Sequence, residues 1–235
     1  GALTFAIAAG SLLAGNITKL FGLICSFNLM NLMYLIGAAI CVLSGNFPVL
    51  LAGLIITGFA SGADLPISLT VISHDAPNEK VSASLIASTQ VFWQIGVLGS
   101  YAMAFIVSHV EGAAGARMVF ALLAVLAGIA FVWRTFSKKF KEFHAAGDEY
   151  RAAEGTKTST EVSFASLFKG TDGKKYVSFF SCIIIFYVCW NLLANTFGQF
   201  QTYILVKANA SQSLATGCGI VLNIVGLICG ILFAS

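Results

Sequence analysis

The feature that most constrains this chain is a long apolar run that begins at Pro48 and carries one acidic residue near its middle. That residue is Asp64, two positions before Pro66. An ionised carboxylate is costly in hydrocarbon, so an acid in a spanning helix faces a bundle interior or a water-filled cavity. Gly58 and Gly62 lie four residues apart, a spacing that lets helix backbones approach closely. We therefore predict a tightly packed helix with Asp64 as its functional residue.

The composition extends this prediction to the whole chain. Hydrophobic residues make up 58% of the 235 residues and charged residues only 10%, with a mean hydropathy of +0.89. Soluble domains carry about 25% charged residues. Because backbone groups must be paired inside a bilayer, and no strand-like alternation is visible, we expect an all-α, polytopic membrane helix bundle. Seven apolar spans are predicted, at about residues 1–20, 27–46, 48–73, 83–108, 117–135, 176–205 and 212–235.

The distribution of Lys and Arg predicts the orientation of these spans. Alternate connections hold eleven basic residues, at Lys19, at Lys80 and nine times between Arg134 and Lys175, against two on the other side, Arg117 and Lys207. Cytoplasmic loops carry an excess of basic residues. We therefore expect the protein to lie in a plasma (inner) membrane, with the side that carries eleven basic residues facing the cytoplasm.

The chain then divides into three parts. Residues 1–135 hold five of the predicted spans, residues 136–175 are predicted to be a hydrophilic cytoplasmic loop, and residues 176–235 hold the last two spans. We expect the first half of the loop to continue the fifth helix, and His144 to be solvated there. No basic run is interleaved with aromatic residues expected to be exposed, so the lipid bilayer, and not nucleic acid, is the expected partner.

Polar side chains inside the spans are distributed unevenly. The fifth span has none before Trp133 and can face lipid all round. The second has Asn28, Asn31 and Tyr34 only near its cytoplasmic mouth, so both spans are predicted to be peripheral. The third, fourth and sixth spans are polar at depth, partly at four-residue spacing that places side chains on one face. The candidate residues for solute binding or proton coupling are Asp64, Gln90, Trp93, Gln94, Tyr187, Trp190, Asn191, Asn195 and Gln199.

The polar side chains on these helix faces can be interpreted in two ways. Amides can hydrogen-bond solute hydroxyls while aromatic rings stack on apolar sugar faces, as in small-molecule pockets. The same amides can hydrogen-bond neighbouring helices. Three polar spans beside an all-apolar one favour a lined cavity. No metal or cofactor motif is present, and the six scattered cysteines are expected to be small buried residues.

Four stretches of the chain follow a known pattern. They are GSLLAGNITKLFG, GLIITGFASGADLPISLTVISHDAP, TQVFWQIGVLGS and KYVSFFSCIIIFYVCWNLLANTFGQFQTY. In this order they resemble the turn after helix two, helix four, helix five and helix seven of the major facilitator superfamily, and within it the sugar and metabolite porters. The resemblance covers family helices two to eight, seven of twelve, and we expect the other helices to lie outside this sequence. It implies that residues 1–135 are part of an N-terminal transmembrane bundle, residues 136–175 the cytoplasmic central loop, and residues 176–235 the start of a C-terminal transmembrane bundle.

Several charges of the family pattern are replaced here. Lys19 stands at the family's Asp position in the first turn, Leu54 at the helix-four Arg position and His74 at the following Glu position. Further replacements fall at Leu20, Leu23, Ile24, Val81 and Ser82. In the family these charges form the cytoplasmic gate network.

The resemblance implies a secondary active transporter of a small polar solute, such as a sugar or polyol, working by proton-coupled symport and alternating access. Because burial disfavours a charged carboxylate, Asp64 would take up the coupling proton or bind the solute. The alternative is a seven-helix receptor, sensor or non-transporting remnant. An enzyme is not expected, because Ser73, His74 and Asp75 are adjacent in sequence, their side chains are expected to point in different directions around a helix end, and they cannot form a catalytic triad on their own.

Overall fold

The structure, a computed structural model, describes residues 1–107, 110, 113–153 and 173–234. The described residues form eight helices: α1 (Ala2–Phe21), α2 (Leu23–Leu43), α3 (Phe47–Asp75), α4 (Glu79–Val107), α5 (Ala113–Phe136), α6 (Lys138–Ala153), α7 (Gly173–Lys207) and α8 (Gln212–Ala234). Among them, all but the hydrophilic α6 are long and apolar enough to span a membrane. The predicted all-α fold and the seven predicted spans are confirmed for this part of the chain.

The chain divides into two compact units. One contains residues 1–150 and 223–235, and the other residues 151–222. Helices α1 to α5 and most of α6 belong to the first unit. The predicted domain boundaries at residues 135 and 175 stay predictions.

Local sequence signals mark the helix ends. Gly22 adopts a φ of 81° between α1 and α2, a left-handed conformation that favours glycine and lets the chain reverse within one residue. Before α3, the side chain of Asn46 accepts a hydrogen bond from the Val49 backbone N–H at 3.0 Å, and Pro48 occupies the first turn. These local features determine where α3 begins, and with it the number of helical turns before Asp64, independently of tertiary contacts.

Glycines bring α1 and α3 into backbone contact. A Cβ on Gly62 would collide with the Ile7 carbonyl, and one on Gly10 would collide with the Phe59 carbonyl. Gly58 also lies against α1, although less tightly, and an added Cβ there would be 2.8 Å from the carbonyl oxygen of Leu3. The close approach predicted from the Gly58 and Gly62 spacing is therefore confirmed, with α1 as the partner.

The core of the first unit continues along the same helices. Its buried cluster consists of Ala14, Phe27, Met30, Ala63, Ile67 and Val71, from α1, α2 and α3. Helix α5 packs on α2, so the prediction that the fifth span faces lipid all round is wrong. The Arg117 guanidinium also ties α5 to the end of α2 by donating to the Ser44 carbonyl at 2.9 Å.

Unlike the helices that form the buried cluster, α4 has no buried residue and exposes many apolar side chains. Such a surface suits hydrocarbon or further helices. The expectation of buried cysteines is correct only for Cys41, since the other five are exposed.

The central loop begins with a separate helix. Helix α5 ends at Phe136, and α6 starts after the single residue Ser137. The first half of the predicted loop is therefore helical, as expected, but it forms a separate helix and does not continue α5. Residues 154–172 of the predicted loop lie outside the described residues.

The α1–α3 contact predicts a position-specific effect of alanine. Gly62→Ala should destabilise the protein by about 1–3 kcal/mol, because its Cβ must push the two backbones apart. Gly15→Ala is the matched control, since a Cβ there meets nothing within 4 Å and alanine favours the helix by about 1 kcal/mol. Thermal unfolding in detergent measures both. Equal unfolding temperatures would contradict the packing role of Gly62.

Candidate functional site

Asp64 is paired with a cation that comes from the end of α5. Arg134 Nη1 donates to Asp64 Oδ1 at 2.8 Å, and Nη2 donates to Oδ2 at 3.4 Å. The side chains are 21% exposed for Arg134 and 29% exposed for Asp64, so the pair is largely shielded. Two roughly parallel hydrogen bonds between a guanidinium and a carboxylate fix both orientation and charge.

The ring of Phe27 on α2 supports the guanidinium of this pair. The Arg134 Cζ lies 4.1 Å from the centroid of the ring, a cation–π geometry, and Nη1 also approaches the Phe27 carbonyl at 3.4 Å. Arg134 thereby joins α5 to α2 and α3. From its position in the sequence Arg134 belongs with the basic residues of the loop, so the partner of Asp64 is not predictable from the sequence pattern.

A cavity of about 460 Å³ lies beside the pair, among α2, α3, α4 and α5. Its polar and aromatic lining comprises Asn31, Tyr34, Ser61, Asp64, Ser68, Trp93 and Arg134. The volume falls within the roughly 300–1,000 Å³ of small-molecule pockets. The cavity combines hydroxyl, amide, carboxylate and guanidinium groups with two aromatic rings, which is a suitable surface for a molecule rich in hydroxyl groups.

Two polar atoms in this lining lack a partner. The Asn31 Nδ2 and the Ser68 Oγ are buried and make no hydrogen bond with any described residue. Buried polar groups are normally hydrogen-bonded, and the exceptions mark places where water or a ligand supplies the bond. Asn31 and Tyr34 were visible in the sequence as polar residues of α2, but their position near one end of the span suggested a peripheral role.

A larger cavity of about 670 Å³ lies towards the C-terminal end of α3. Most of its lining is apolar and includes Val71, Val81, Leu85, Phe140 and Phe143. Its polar residues are Ser68, Asp75, Thr89 and Arg134, and two of these, Ser68 and Arg134, also line the smaller cavity, which adds the polar groups of Asn31, Tyr34, Ser61 and Asp64. The smaller cavity is therefore the candidate solute site.

The predicted site residues fall into separate groups. Asp64 and Trp93 both line the smaller cavity. On α4, Gln90 is exposed and Gln94 is half-buried, and neither contributes to that cavity's lining.

On α7, Tyr187 and Trp190 are exposed, and Asn191 Nδ2 donates to the Tyr187 carbonyl of its own helix at 2.8 Å. The side chains of Asn195 and Gln199 lie outside the described residues. A role for the α7 set in solute binding stays a prediction.

A second polar cluster lies where α6 meets the end of α3. Asp75 Oδ2 accepts a hydrogen bond from His144 Nδ1 at 2.6 Å, and its Oδ1 lies 2.9 Å from His74 Nδ1. The other ring nitrogen of His74 lies 3.2 Å from Asp148 Oδ1. His144 is only 9% exposed, so the expectation that it is solvated is wrong.

The same cluster contains two of the three residues, Ser73, His74 and Asp75, that the sequence places next to one another. His74 and Asp75 do contact each other, contrary to the expectation that their side chains diverge. The Ser73 hydroxyl instead lies 3.1 Å from the hydroxyl of Ser82 on α4.

The chain is similar to one family of known proteins. A family model described as "Sugar (and other) transporter" matches residues 1–235. The chain is 29% identical over 216 residues to the minor myo-inositol transporter IolF of Bacillus subtilis, covering 89% of this chain and 48% of that protein. It is 28% identical over 134 residues to D-xylose-proton symporter-like 2 of Arabidopsis thaliana, covering 56% of this chain and 26% of that protein. The chain thus spans about half or less of these relatives, and no solved structure matches it.

The Asp64–Arg134 pair predicts a strong coupling between the two positions. Asp64→Asn or Arg134→Gln alone should each destabilise the protein by roughly 1.5–3 kcal/mol, because each leaves a shielded charge without its partner. The double variant should be more stable than the sum of the single effects implies. Thermal unfolding of the four proteins measures this coupling. Additive effects would show that the ion pair is not maintained in solution.

Proposed function

Since the chain belongs to the sugar (and other) transporter family of integral membrane proteins, we propose that the complete protein moves a sugar or polyol across the membrane by alternating access. In such transporters, two helix bundles rock around a site near the bilayer midplane. The protein is therefore proposed to be a transporter and not an enzyme. The plasma (inner) membrane, with the central loop in the cytoplasm, is its proposed location.

The observation that carries this proposal is the pair of unpartnered polar atoms in the smaller cavity. Asn31 Nδ2 offers a hydrogen-bond donor and Ser68 Oγ offers a hydroxyl, and both residues line the same space as Trp93. A solute with several hydroxyls can satisfy both atoms while one of its apolar faces lies on the indole. An apolar solute would leave both atoms unpaired, at a cost of about 1–3 kcal/mol each.

Charge balance favours a neutral solute over a carboxylate. A basic residue, Arg134, lines the cavity and could in principle bind an acid. Its guanidinium already binds Asp64 through both nitrogens, so the charges in the lining cancel. An anionic solute would have to displace Asp64 from Arg134. A sugar or polyol needs no such exchange.

Proton coupling is proposed to act through the same ion pair. When a proton binds a carboxylate oxygen of Asp64, the charge that attracts Arg134 disappears and the guanidinium is free to move. Proton uptake would thereby loosen the connection between α3 and α5 beside the cavity.

The remaining predicted residues supplement this site. Gln90 and Gln94 on α4, and Tyr187, Trp190, Asn191, Asn195 and Gln199 on α7, are proposed to contact the solute in other states of the transport cycle. They supply amide and aromatic groups of the kind that sugar sites use. Alanine substitutions that impair uptake without changing expression would support this assignment.

Asp64→Asn should abolish proton-driven accumulation of the solute by the full-length protein in proteoliposomes. The amide can neither take up a proton at neutral pH nor neutralise Arg134. Uptake of labelled myo-inositol and D-xylose under an inward proton gradient measures the effect, with Glu149→Gln as a control that removes an exposed acid elsewhere. Unchanged gradient-driven uptake in Asp64→Asn would exclude Asp64 from coupling. Solute binding by the native protein without any uptake would favour the receptor or sensor alternative.

Ser68→Ala should separate stability from binding. Removing a buried hydroxyl that has no partner should raise the unfolding temperature of the solute-free protein. The same change should weaken solute binding about three- to tenfold, through the loss of one hydrogen bond. Ser100→Ala is the matched control, because the Ser100 hydroxyl is exposed and donates to the Val97 carbonyl of its own helix. Unaltered affinity in Ser68→Ala would place the solute outside this cavity.

A further inference from the structure

His74 holds an unusual position between two carboxylates. Its Nδ1 lies 2.9 Å from Asp75 Oδ1, and its Nε2 lies 3.2 Å from Asp148 Oδ1. A carboxylate without a proton can only accept hydrogen bonds, and a neutral imidazole has one N–H to donate. Neutral His74 therefore satisfies one of these contacts and turns a lone pair towards the other carboxylate. Only the imidazolium form can donate to both.

The two contacts differ in what they connect. Asp75 is the next residue in the chain, and its side chain is 15% exposed. Asp148 belongs to α6, and its side chain is 75% exposed. When His74 loses its second proton, the exposed Asp148 can turn into water at little cost. The contact that depends on the proton is thus the one that joins α6 to α3.

His144 forms the other half of the interface through one hydrogen bond and aromatic packing. Its Nδ1 donates to Asp75 Oδ2, and its ring packs against those of Phe27 and Phe140 at centroid distances of 6.3 and 6.1 Å. Its Nε2 is buried and has no hydrogen-bond partner among the described residues. A second proton would create a buried donor without an acceptor, whereas the neutral ring satisfies the observed contact.

The backbone of α6 comes close enough for this short-range contact to matter. Gly147 is buried, and a Cβ there would lie 2.8 Å from the His74 carbonyl oxygen and 2.9 Å from its Nδ1. The charged groups on the neighbouring elements are Lys19 of α1, Arg134 of α5, Glu79 and Lys80 at the exposed start of α4, and Lys138, Lys139, Lys141, Glu142 and Glu149 on the exposed face of α6. None of them is recorded within ion-pair distance of His74, whose recorded ionic partners are Asp75 and Asp148.

We propose that protonation of His74 fastens α6 to the C-terminal end of α3, which makes this interface a pH-sensitive latch. At low pH the imidazolium donates to both Asp75 and Asp148. At high pH, when the His74 ring is neutral, the Asp148 contact is lost and α6 is held by His144 and its aromatic packing alone. The pH-dependent attachment of α6 uses different residues from the proposed solute site and does not require proton coupling at Asp64.

Hydrogen–deuterium exchange of the full-length protein in nanodiscs tests the latch directly. Exchange of the α6 peptides is measured at about pH 5.5 and about pH 8, on either side of the histidine range, and corrected for intrinsic chemical exchange. The native protein should show about 1.5- to 5-fold greater protection of α6 at the lower pH, the effect expected of an exposed ion pair. Equal corrected protection at the two pH values would overturn the proposal.

Two variants distinguish the contact from a general effect of charge. Asp148→Asn should abolish the pH dependence, because the amide can donate to the neutral Nε2 lone pair and the contact no longer needs the proton. Glu149→Gln removes the same charge one residue away on the exposed face, and should keep the native pH dependence. The same response in both variants, or a native response in Asp148→Asn, would overturn the assignment to His74. Asp148 is exposed, so its substitution leaves the core intact, and since exchange reports on α6 alone the result does not depend on transport.

Discussion

The fold of the first unit depends on neutralising one carboxylate inside an apolar helix. Asp64 cannot remain charged in hydrocarbon without a partner or water, and Arg134 supplies the partner from the end of α5. To do so, α5 must pack on α2 and bring its last turn next to the middle of α3. The ring of Phe27 then covers the guanidinium from the α2 side. One electrostatic requirement thereby determines how three helices are arranged, and the candidate solute cavity lies beside the pair that satisfies it.

Close backbone packing makes this arrangement possible. Apolar side chains gain nothing from leaving lipid for another apolar helix, so association relies on packing and on hydrogen bonds. Gly62 and Gly10 remove side chains where α1 and α3 touch, and Gly37 and Gly53 do the same between α2 and α3. The helix that carries Asp64 is therefore held on two sides by backbone contact. Its third side is left for Arg134 and the cavity.

The sequence was sufficient for the spans and for one half of the ion pair. Hydropathy located all seven apolar helices, and Asp64 was recognisable because nothing else in its span is charged. Arg134 was not, because a basic residue at the end of a span normally extends to the headgroups, and sequence alone does not show that its side chain turns inward. His144 was misjudged for a different reason. Phe140, His144 and Gly147 share one face of α6 at three- and four-residue spacing, but the surrounding charges suggested a solvated linker.

Helix α3 connects the cavity to the contact with α6. Ten residues separate Asp64 from His74, about 15 Å along a helix. Pro66 lies between them and lacks an N–H, so the carbonyl of Gly62 receives no hydrogen bond from the next turn, and this is where bending of α3 costs least. Ser68 lies beyond the proline and Asp64 before it, although both line the same cavity. A bend at Pro66 therefore changes the distance between two polar walls of the cavity, and it also moves the end of α3 to which α6 is attached.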